Sequence, residues 1–219
     1  MSQNSNAISK ASPRLVVPSY ADGRIRISEQ EARFLFASAI EKTGRYFYTI
    51  ETPTKEKYRF KPRTQAQNTC ISARSDMSIW KWDKQFIQLA NIELKAHNVQ
   101  KAAVGKDIEK LIRENITGNW FHLLRNTDSG TFRSLFEKLT DSFMQNARYV
   151  REIMEGRRHR ILFFFCVKGK NFSIYKVLTL HNTYDIETEI KDFFALNDYC
   201  DLEKEPPESL NSWELWRAC

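Results

Sequence analysis

Closely spaced cysteine pairs and long apolar runs are both missing from this 219-residue sequence. Its four cysteines, Cys70, Cys166, Cys200 and Cys219, lie far apart and form no C-x-x-C pair, so neither a zinc ribbon nor a disulfide framework is expected. No stretch approaches the roughly 18 apolar residues that span a bilayer, and the first twenty residues contain no apolar core of a signal peptide. We therefore expect a cytoplasmic protein that does not enter a membrane.

Glycine is also scarce, with seven residues in the whole chain, which leaves little material for glycine-rich loops that bind nucleotide phosphates. Gly105 and Lys106 are followed by Asp107 rather than by a hydroxyl residue, and the first glycine of a Walker loop is missing. The zinc-protease motif H-E-x-x-H and the serine-hydrolase motif G-x-S-x-G are absent as well. The sequence gives no support to these nucleotide-binding and hydrolytic classes.

Positive charge, in contrast, is abundant and unevenly distributed. Residues 182–219 contain ten acidic and three basic side chains, so the remaining 181 residues carry 31 basic against 17 acidic ones. This surplus favours a polyanionic partner, with a solvated basic surface as the alternative. Tyr58 and Phe60 interleave with one basic group, which offers phosphate contacts and base stacking together. The candidate nucleic-acid-binding residues are Lys55, Lys57, Arg59, Lys61, Arg63, Arg74 and Lys106.

The hydrophobic pattern predicts an α/β (α+β) fold with a central mixed sheet flanked by helices. Ser28, as an N-cap with Glu31 as its capping-box partner, and Gly44 delimit a first helix. Strands are predicted at 45–51, 57–61, 70–80, 86–97 and 119–125, helices at 104–115 and 131–154, and a C-terminal hairpin at 161–180 with a helix at 186–194. Residues 1–20 are expected to form a flexible tail, 21–181 a single domain, and 182–219 an acidic extension packed on it.

Charged residues interrupt two of these strands. Side chains alternate along a strand, so Glu93, Lys95 and His97 share one face, and Asp76 shares a face with Arg74. If the two strands pair as a hairpin, Asp76, Glu93 and Lys95 converge on one patch. Two carboxylates supply the hard oxygen ligands that Mg²⁺ prefers, and the lysine stabilises developing charge or, with a lowered pKa, assists deprotonation of water. The alternative is a same-face charge pair on an ordinary antiparallel sheet.

Asp76, followed seventeen residues later by Glu93-Leu94-Lys95, resembles the PD-(D/E)xK nuclease superfamily, which has the restriction endonuclease-like fold. The order of helix, three-stranded meander, helix and fourth strand over residues 28–125 resembles that family as well. The residue before Asp76 is Ser75 rather than proline, a frequent variation in the family, and the polar segment between Phe60 and Ile71 is longer than the core needs.

The resemblance implies a site with assigned roles. Asp76, Glu93 and the carbonyl of Leu94 would bind Mg²⁺, or Mn²⁺, and Lys95 would serve the nucleophile. A helical carboxylate would support the site, with Glu31 as the first candidate and Glu41 as the second. His97 and Lys110 are expected near the site without binding the metal. For the helix face that carries Lys106, Asp107 and Lys110, exposure to solvent is an equal alternative.

The expected activity is metal-dependent hydrolysis of phosphodiester bonds by an endonuclease, with DNA favoured over RNA. A defence, mobile-element or repair context follows from fold-level analogy alone. The rival is a non-catalytic nucleic-acid- or protein-binding module on the same fold. Trp213 and Trp216, at helical spacing, suggest a homodimer or protein partner through the C-terminal region, with packing onto the same domain as the alternative.

Overall fold

The computed structural model describes residues 28–58, 71–125, 127, 129–153, 158–170, 172–180, 185–195 and 213–217. The N-terminal tail predicted for residues 1–20 lies outside these ranges. The elements, in chain order, are α1 (Glu29–Thr43), β1 (Phe47–Tyr58), β2 (Ile71–Asp83), β3 (Gln85–Ala96), α2 (Lys101–Arg113), β4 (Thr117–Leu124), α3 (Ser129–Gln145), α4 (Ala147–Ile153), β5 (His159–Val167), a 3-10 turn (Lys168–Lys170), β6 (Phe172–Leu180), α5 (Ile186–Phe194) and β7 (Glu214–Arg217).

The described strands form one mixed sheet in which each strand lies beside its predecessor in the chain, from β1 to β7. The pairs β1–β2, β2–β3, β5–β6 and β6–β7 are antiparallel. The pairs β3–β4 and β4–β5 are parallel, and each is joined by helical segments because a parallel connection must cross the sheet. Helices pack on both faces of this sheet, which confirms the predicted α+β class.

Helix α1 covers one face of the sheet, and its ends lie where local signals predict them. The Ser28 side chain accepts a hydrogen bond from the Glu31 amide at 3.2 Å, and Gly44 ends the helix in the left-handed conformation with φ 61°. The buried residues that join the helix to the sheet are Ala32, Ala37, Ile40, Met77, Ile92 and Leu94.

Helices α2 to α5 share the larger core on the opposite face. It holds the alternate residues of β4 and β5, including Trp120 and Phe163, and the helical Ile108 and Phe136. Trp213 joins this core and stacks on Phe136 with ring centroids 5.2 Å apart. Trp213 thus packs onto the same domain, which was the alternative to a partner contact, and the helical spacing is wrong because Glu214–Arg217 forms strand β7 on the edge of β6.

Strand β1 differs from the prediction of two short strands separated by a turn. It continues from Phe47 to Tyr58, and its register against β2 is irregular between Pro53 and Lys57. The Glu114 carboxylate at the end of α2 accepts hydrogen bonds from the amides of Lys55 and Glu56, at 2.9 and 3.1 Å. The Glu114 carboxylate accepts the hydrogen bonds that β2 does not accept where the register is irregular. Strand β1 therefore continues beyond Pro53 instead of turning there.

The helix predicted over residues 131–154 is two helices, α3 and α4. The break lies at Asn146, whose amide donates to the Phe143 carbonyl and whose side chain donates to the Ser142 carbonyl at 2.8 Å. A side chain that bonds to the main chain in this way competes with helical hydrogen bonds, and hydrophobic periodicity does not reveal it. The C-terminal hairpin and the helix Ile186–Phe194 are confirmed.

Candidate functional site

The site begins where pairing between β2 and β3 ends. Met77 and Ile92 form the last paired position, although β2 continues along β1 and β3 continues along β4. Asp76 follows directly, and its Oδ2 accepts a hydrogen bond from the Leu94 amide at 2.8 Å. The carboxylate thus replaces a missing main-chain acceptor, and this contact holds it against the Glu93-Leu94-Lys95 segment.

Lys95 lies at the centre of three oxygen atoms. Its Nζ is 2.8 Å from Asp107 Oδ2, 3.0 Å from the Leu94 carbonyl and 3.8 Å from Asp76 Oδ2. Burial opposes the charged form, but Asp107 and Asp76 outweigh it and raise the pKa of Lys95 above its ordinary value. Lys95 is therefore an ammonium in this arrangement, which favours its charge-stabilising role over the alternative in which a lowered pKa lets it take a proton.

Glu93 is fully buried, and its charge is balanced from helix α2. Lys110 Nζ lies 2.6 Å from Glu93 Oε2, 2.8 Å from Asp107 Oδ1 and 2.9 Å from the Arg74 carbonyl. Burial and the carboxylates of Asp107 and Asp76 raise the pKa of Glu93 well above its ordinary value, and Lys110 offsets part of this effect. Glu93 Oε1 has no hydrogen-bond partner among the described residues.

Asp107 links the two lysines and stays ionised. Although burial opposes the charged form, Lys110 and Lys95 together lower the pKa of Asp107 below its ordinary value. Of the two alternatives for this helix face, exposure to solvent is wrong for Asp107 and Lys110, which are buried, whereas Lys106 is exposed. Positions 107 and 110 lie three residues apart on one side of α2, the side that faces the sheet.

Arg33 is a member of the site that the sequence analysis missed. From α1, its guanidinium reaches Asp76 Oδ1 and Glu51 Oε1, both at 3.2 Å. The cluster therefore alternates in sign along its whole length. We call it the charged cluster, and its members in order of contact are Glu51, Arg33, Asp76, Lys95, Asp107, Lys110 and Glu93.

The helical carboxylates have different positions. Glu31 Oε2 is buried without a hydrogen-bond partner in the described part of the chain, so Glu31 has an oxygen available. Glu41 is exposed near the far end of α1 and accepts a hydrogen bond from the Tyr48 hydroxyl at 2.8 Å. Glu29, at the start of the helix, accepts a bond from the Ala96 amide at 3.2 Å and thereby joins α1 to the end of β3.

His97 does not continue the alternation of β3. It follows the strand with φ 60°, and its side chain is exposed. Its carbonyl lies 2.6 Å from Nε2 of His122, a fully buried side chain whose pKa burial lowers to about 4. His122 is thus neutral and donates through Nε2, which fixes the turn after β3. His122 therefore has a structural role beside the site, through its hydrogen bond to the His97 carbonyl.

The predicted basic surface is described only in part. Lys55 and Lys57 are exposed on β1 and Arg74 is exposed on β2. Arg59, Lys61 and Arg63 lie outside the described residues.

The residues that could hold a divalent cation are Asp76, Glu93 and the Leu94 carbonyl. Asp76 Oδ2 and the Leu94 carbonyl both face the Lys95 ammonium, and Glu93 Oε1 has no hydrogen-bond partner among the described residues. Within the described ranges, no three His, Cys, Asp or Glu side chains are grouped so that they could share a metal ion. Mg²⁺ does not need such a group, because it is commonly held by one or two carboxylates and keeps several waters.

Comparison of the chain with protein-family models, with curated proteins and with solved structures finds no match. No helix in the described part of the chain is long and apolar enough to cross a membrane. The fold and the site together define an α+β protein with a buried cluster of alternating charges at the junction of β2, β3 and α2.

Proposed function

We propose that the protein is a metal-dependent nuclease of the PD-(D/E)xK type that hydrolyses phosphodiester bonds in DNA. The observation that carries this proposal is the convergence of Asp76 Oδ2 and the Leu94 carbonyl on the Lys95 ammonium. The order of α1, the β1–β3 meander, α2 and β4 also agrees with the order that the resemblance implies. The restriction endonuclease-like core is part of the same proposal.

Each residue has a task in this proposal. Asp76, Glu93 and the Leu94 carbonyl hold Mg²⁺ or Mn²⁺, which when bound supplies Lewis acidity and a more acidic water. Lys95 is an ammonium and stabilises negative charge that develops on the phosphoryl oxygens. Glu31 supports the site from helix α1, since its Oε2 has no hydrogen-bond partner among the described residues. Asp107 and Lys110 position Lys95 and Glu93.

Exposed basic side chains on β1 and β2 support a nucleic-acid substrate. Exposed Lys55, Lys57 and Arg74 lie on the two strands that precede the site, and phosphate contacts from such residues give binding that weakens with salt. The choice of DNA, and a defence, mobile-element or repair setting, extend the family analogy.

One observation favours the rival function. The carboxylates of Asp76 and Glu93 are already balanced by Arg33, Lys95 and Lys110, so the cluster is self-sufficient as a structural network. A binding module that uses the basic surface and keeps the cluster for stability would show the same contacts.

The deciding experiment measures cleavage of single-stranded DNA, duplex DNA and RNA by the wild-type protein and by Lys95→Ala, with Mg²⁺, Mn²⁺ or chelator. We expect metal-dependent cleavage that falls by a factor of about 100 or more in the variant, because a preorganised charge at the reacting phosphate is lost. Lys101→Ala is the matched control, since Lys101 is an exposed lysine paired with Asp141.

A second variant guards against a folding defect. Asp76→Asn keeps an oxygen that can accept the Leu94 amide bond but removes the charge that a metal needs. Circular dichroism and thermal unfolding confirm that each variant is folded. Full activity of folded Lys95→Ala would refute the assignment, and salt-sensitive binding without cleavage under any metal condition would establish the binding module instead.

A further inference from the structure

A group of aromatic rings lies exposed at the distal end of the β2–β3 hairpin. Trp82, Phe86 and Phe47 have 58%, 54% and 49% of their surface exposed. Their rings nevertheless touch edge to face, with centroids 4.9 Å apart for Trp82 and Phe86 and 5.1 Å apart for Phe47 and Phe86. We call these three residues the aromatic platform. Mutual contact fixes the rings, so the platform presents an ordered apolar surface to solvent.

The platform lies on the face of the sheet that carries the charged cluster. Along β2, Asp76, Ser78, Trp80 and Trp82 alternate onto this face. The Trp80 indole donates to Thr49 Oγ1 at 2.9 Å, which ties the row to β1.

The row on β3 reaches the same face through an irregular register beside Trp80. Ser78 Oγ lies 2.6 Å from Asn91 Oδ1, and Gln88 Nε2 donates to both residues. These contacts show that Gln88 and Asn91 lie on the same face of the sheet, although residues three apart on a regular strand point to opposite faces. Phe86, two residues before Gln88, lies on this face as well. Six residues along β2 separate Asp76 from Trp82, or about 20 Å at 3.3 Å per residue.

The surroundings of the platform are basic. Arg45, Lys81 and Lys84 each lie within two residues of a platform ring along the chain, against one acidic residue, Asp83. The exposed acidic residues of β1 are engaged within the fold, since Glu51 pairs with Arg33 at 3.2 Å and Glu56 with Arg113 at 3.8 Å. An apolar protein partner would contact the rings but not the basic side chains, whereas a nucleic-acid strand would contact both, through its bases and its phosphates.

We propose that the aromatic platform binds unpaired bases of single-stranded DNA, at one end of the sheet that carries the charged cluster. This inference rests on the proposed function, because it names the form of DNA that the nuclease site receives. Bases stack on exposed aromatic rings with little regard to sequence, while phosphates contact the lysines. The span of about 20 Å corresponds to about six stacked nucleotides at 3.4 Å each.

The test measures binding in chelator, so that it needs no cleavage. Fluorescence anisotropy of a labelled mixed-sequence oligonucleotide of about a dozen nucleotides is compared with that of the same strand in a blunt duplex, for the wild-type chain and Trp82→Ala. We expect Trp82→Ala to weaken single-strand binding about tenfold and to leave duplex binding unchanged, because bases in a duplex are already stacked. Trp82→Phe restores most of the affinity, and Phe34→Ala, which removes an exposed ring from α1, has no effect.

Failure of this proposal is distinguishable from failure of the nuclease proposal. If Trp82→Ala weakens single-strand and duplex binding equally, or weakens neither, the proposed role of the platform is wrong. The nuclease proposal is tested separately, by the dependence of cleavage on Lys95. Sedimentation equilibrium supplies a further check, since a wild-type dimer that becomes monomeric in Trp82→Ala with unchanged DNA affinity would assign the rings to a protein interface. Selective loss of single-strand binding in a chain that never cleaves would support the platform without the enzyme.

Discussion

Removal of the Lys110 ammonium isolates the most deeply buried charge of the site. In Lys110→Met the Glu93 carboxylate, which is fully buried, loses its 2.6 Å partner. Breaking a buried ion pair from one side costs about 3–5 kcal/mol of unfolding free energy, because an uncompensated charge stays in the interior. For a domain of this size that corresponds to a fall of about 10 °C in Tm.

The cost of Lys110→Met depends on pH with a defined sign. The pKa of Glu93 is already raised above its ordinary value of 4.5 by burial and nearby carboxylates, and the variant loses the cation that lowers it. The folded state therefore keeps a proton that the unfolded chain releases, so stability falls as the pH rises above 4.5. Asp107, which stays ionised, also loses its Lys110 partner, so we expect a deficit relative to wild type at both pH values that is larger near pH 8, where the Glu93 part is added, than near pH 5.

Urea unfolding of the wild type, Lys110→Met and the double variant Glu93→Gln/Lys110→Met at both pH values measures these quantities. The double variant replaces the ion pair by neutral groups and should recover at least half of the lost stability at pH 8. A deficit of equal size at pH 5 and pH 8, or a double variant no more stable than Lys110→Met, would show that Glu93 is not the charge that Lys110 compensates.

Two further predictions concern residues beside the cluster. His122, with a pKa of about 4 in the fold against 6.5 for an ordinary histidine, should cost the protein about 3 kcal/mol of stability as the pH falls from 6.5 to 4. The unfolded chain takes up the proton first, so urea unfolding of His122→Gln should show a shallower acid loss, and an unchanged loss would contradict the buried neutral ring. A Cβ at Gly118 would meet three side-chain atoms at 3.2–3.3 Å, so Gly118→Ala should lower Tm at a cost of about 1–3 kcal/mol. Gly105→Ala, with its nearest atom at 3.9 Å, should be neutral or stabilising in the same assay, and equal effects would refute the packing argument.

Local signals in the sequence predicted much of this fold. Helix α1 begins after Ser28 and ends before Gly44 because side-chain capping and a left-handed glycine act over three or four residues. Strand alternation likewise predicted that Lys95 would lie beside Asp76, and the two are 3.8 Å apart just beyond the last pair of the β2–β3 hairpin, Met77 and Ile92. These features are written in contiguous residues, so pattern analysis recovers them.

Features that depend on distant contacts were not predictable in this way. Arg33 reaches Asp76 across 43 positions, and no local pattern marks an arginine that will lie over the end of another strand. Pro53 indicates a turn by propensity, yet the Glu114 carboxylate, about sixty residues away, satisfies the amides that keep β1 extended. Whether Asp107 and Lys110 on α2 are exposed or buried could not be decided from the helix alone, because their charge partners, Lys95 and Glu93, lie on β3. Nuclease activity itself stays a prediction.

The sequential order of strands in the sheet has a consequence for biosynthesis. Every described strand adds to the edge formed by its predecessor, so no strand has to be inserted between two that are already paired. All seven members of the charged cluster lie between Arg33 and Lys110, within the first 110 of 219 residues. During translation, the alternating ion pairs are therefore complete in sequence before β5, β6 and β7 are made, and the later strands extend the sheet at its growing edge.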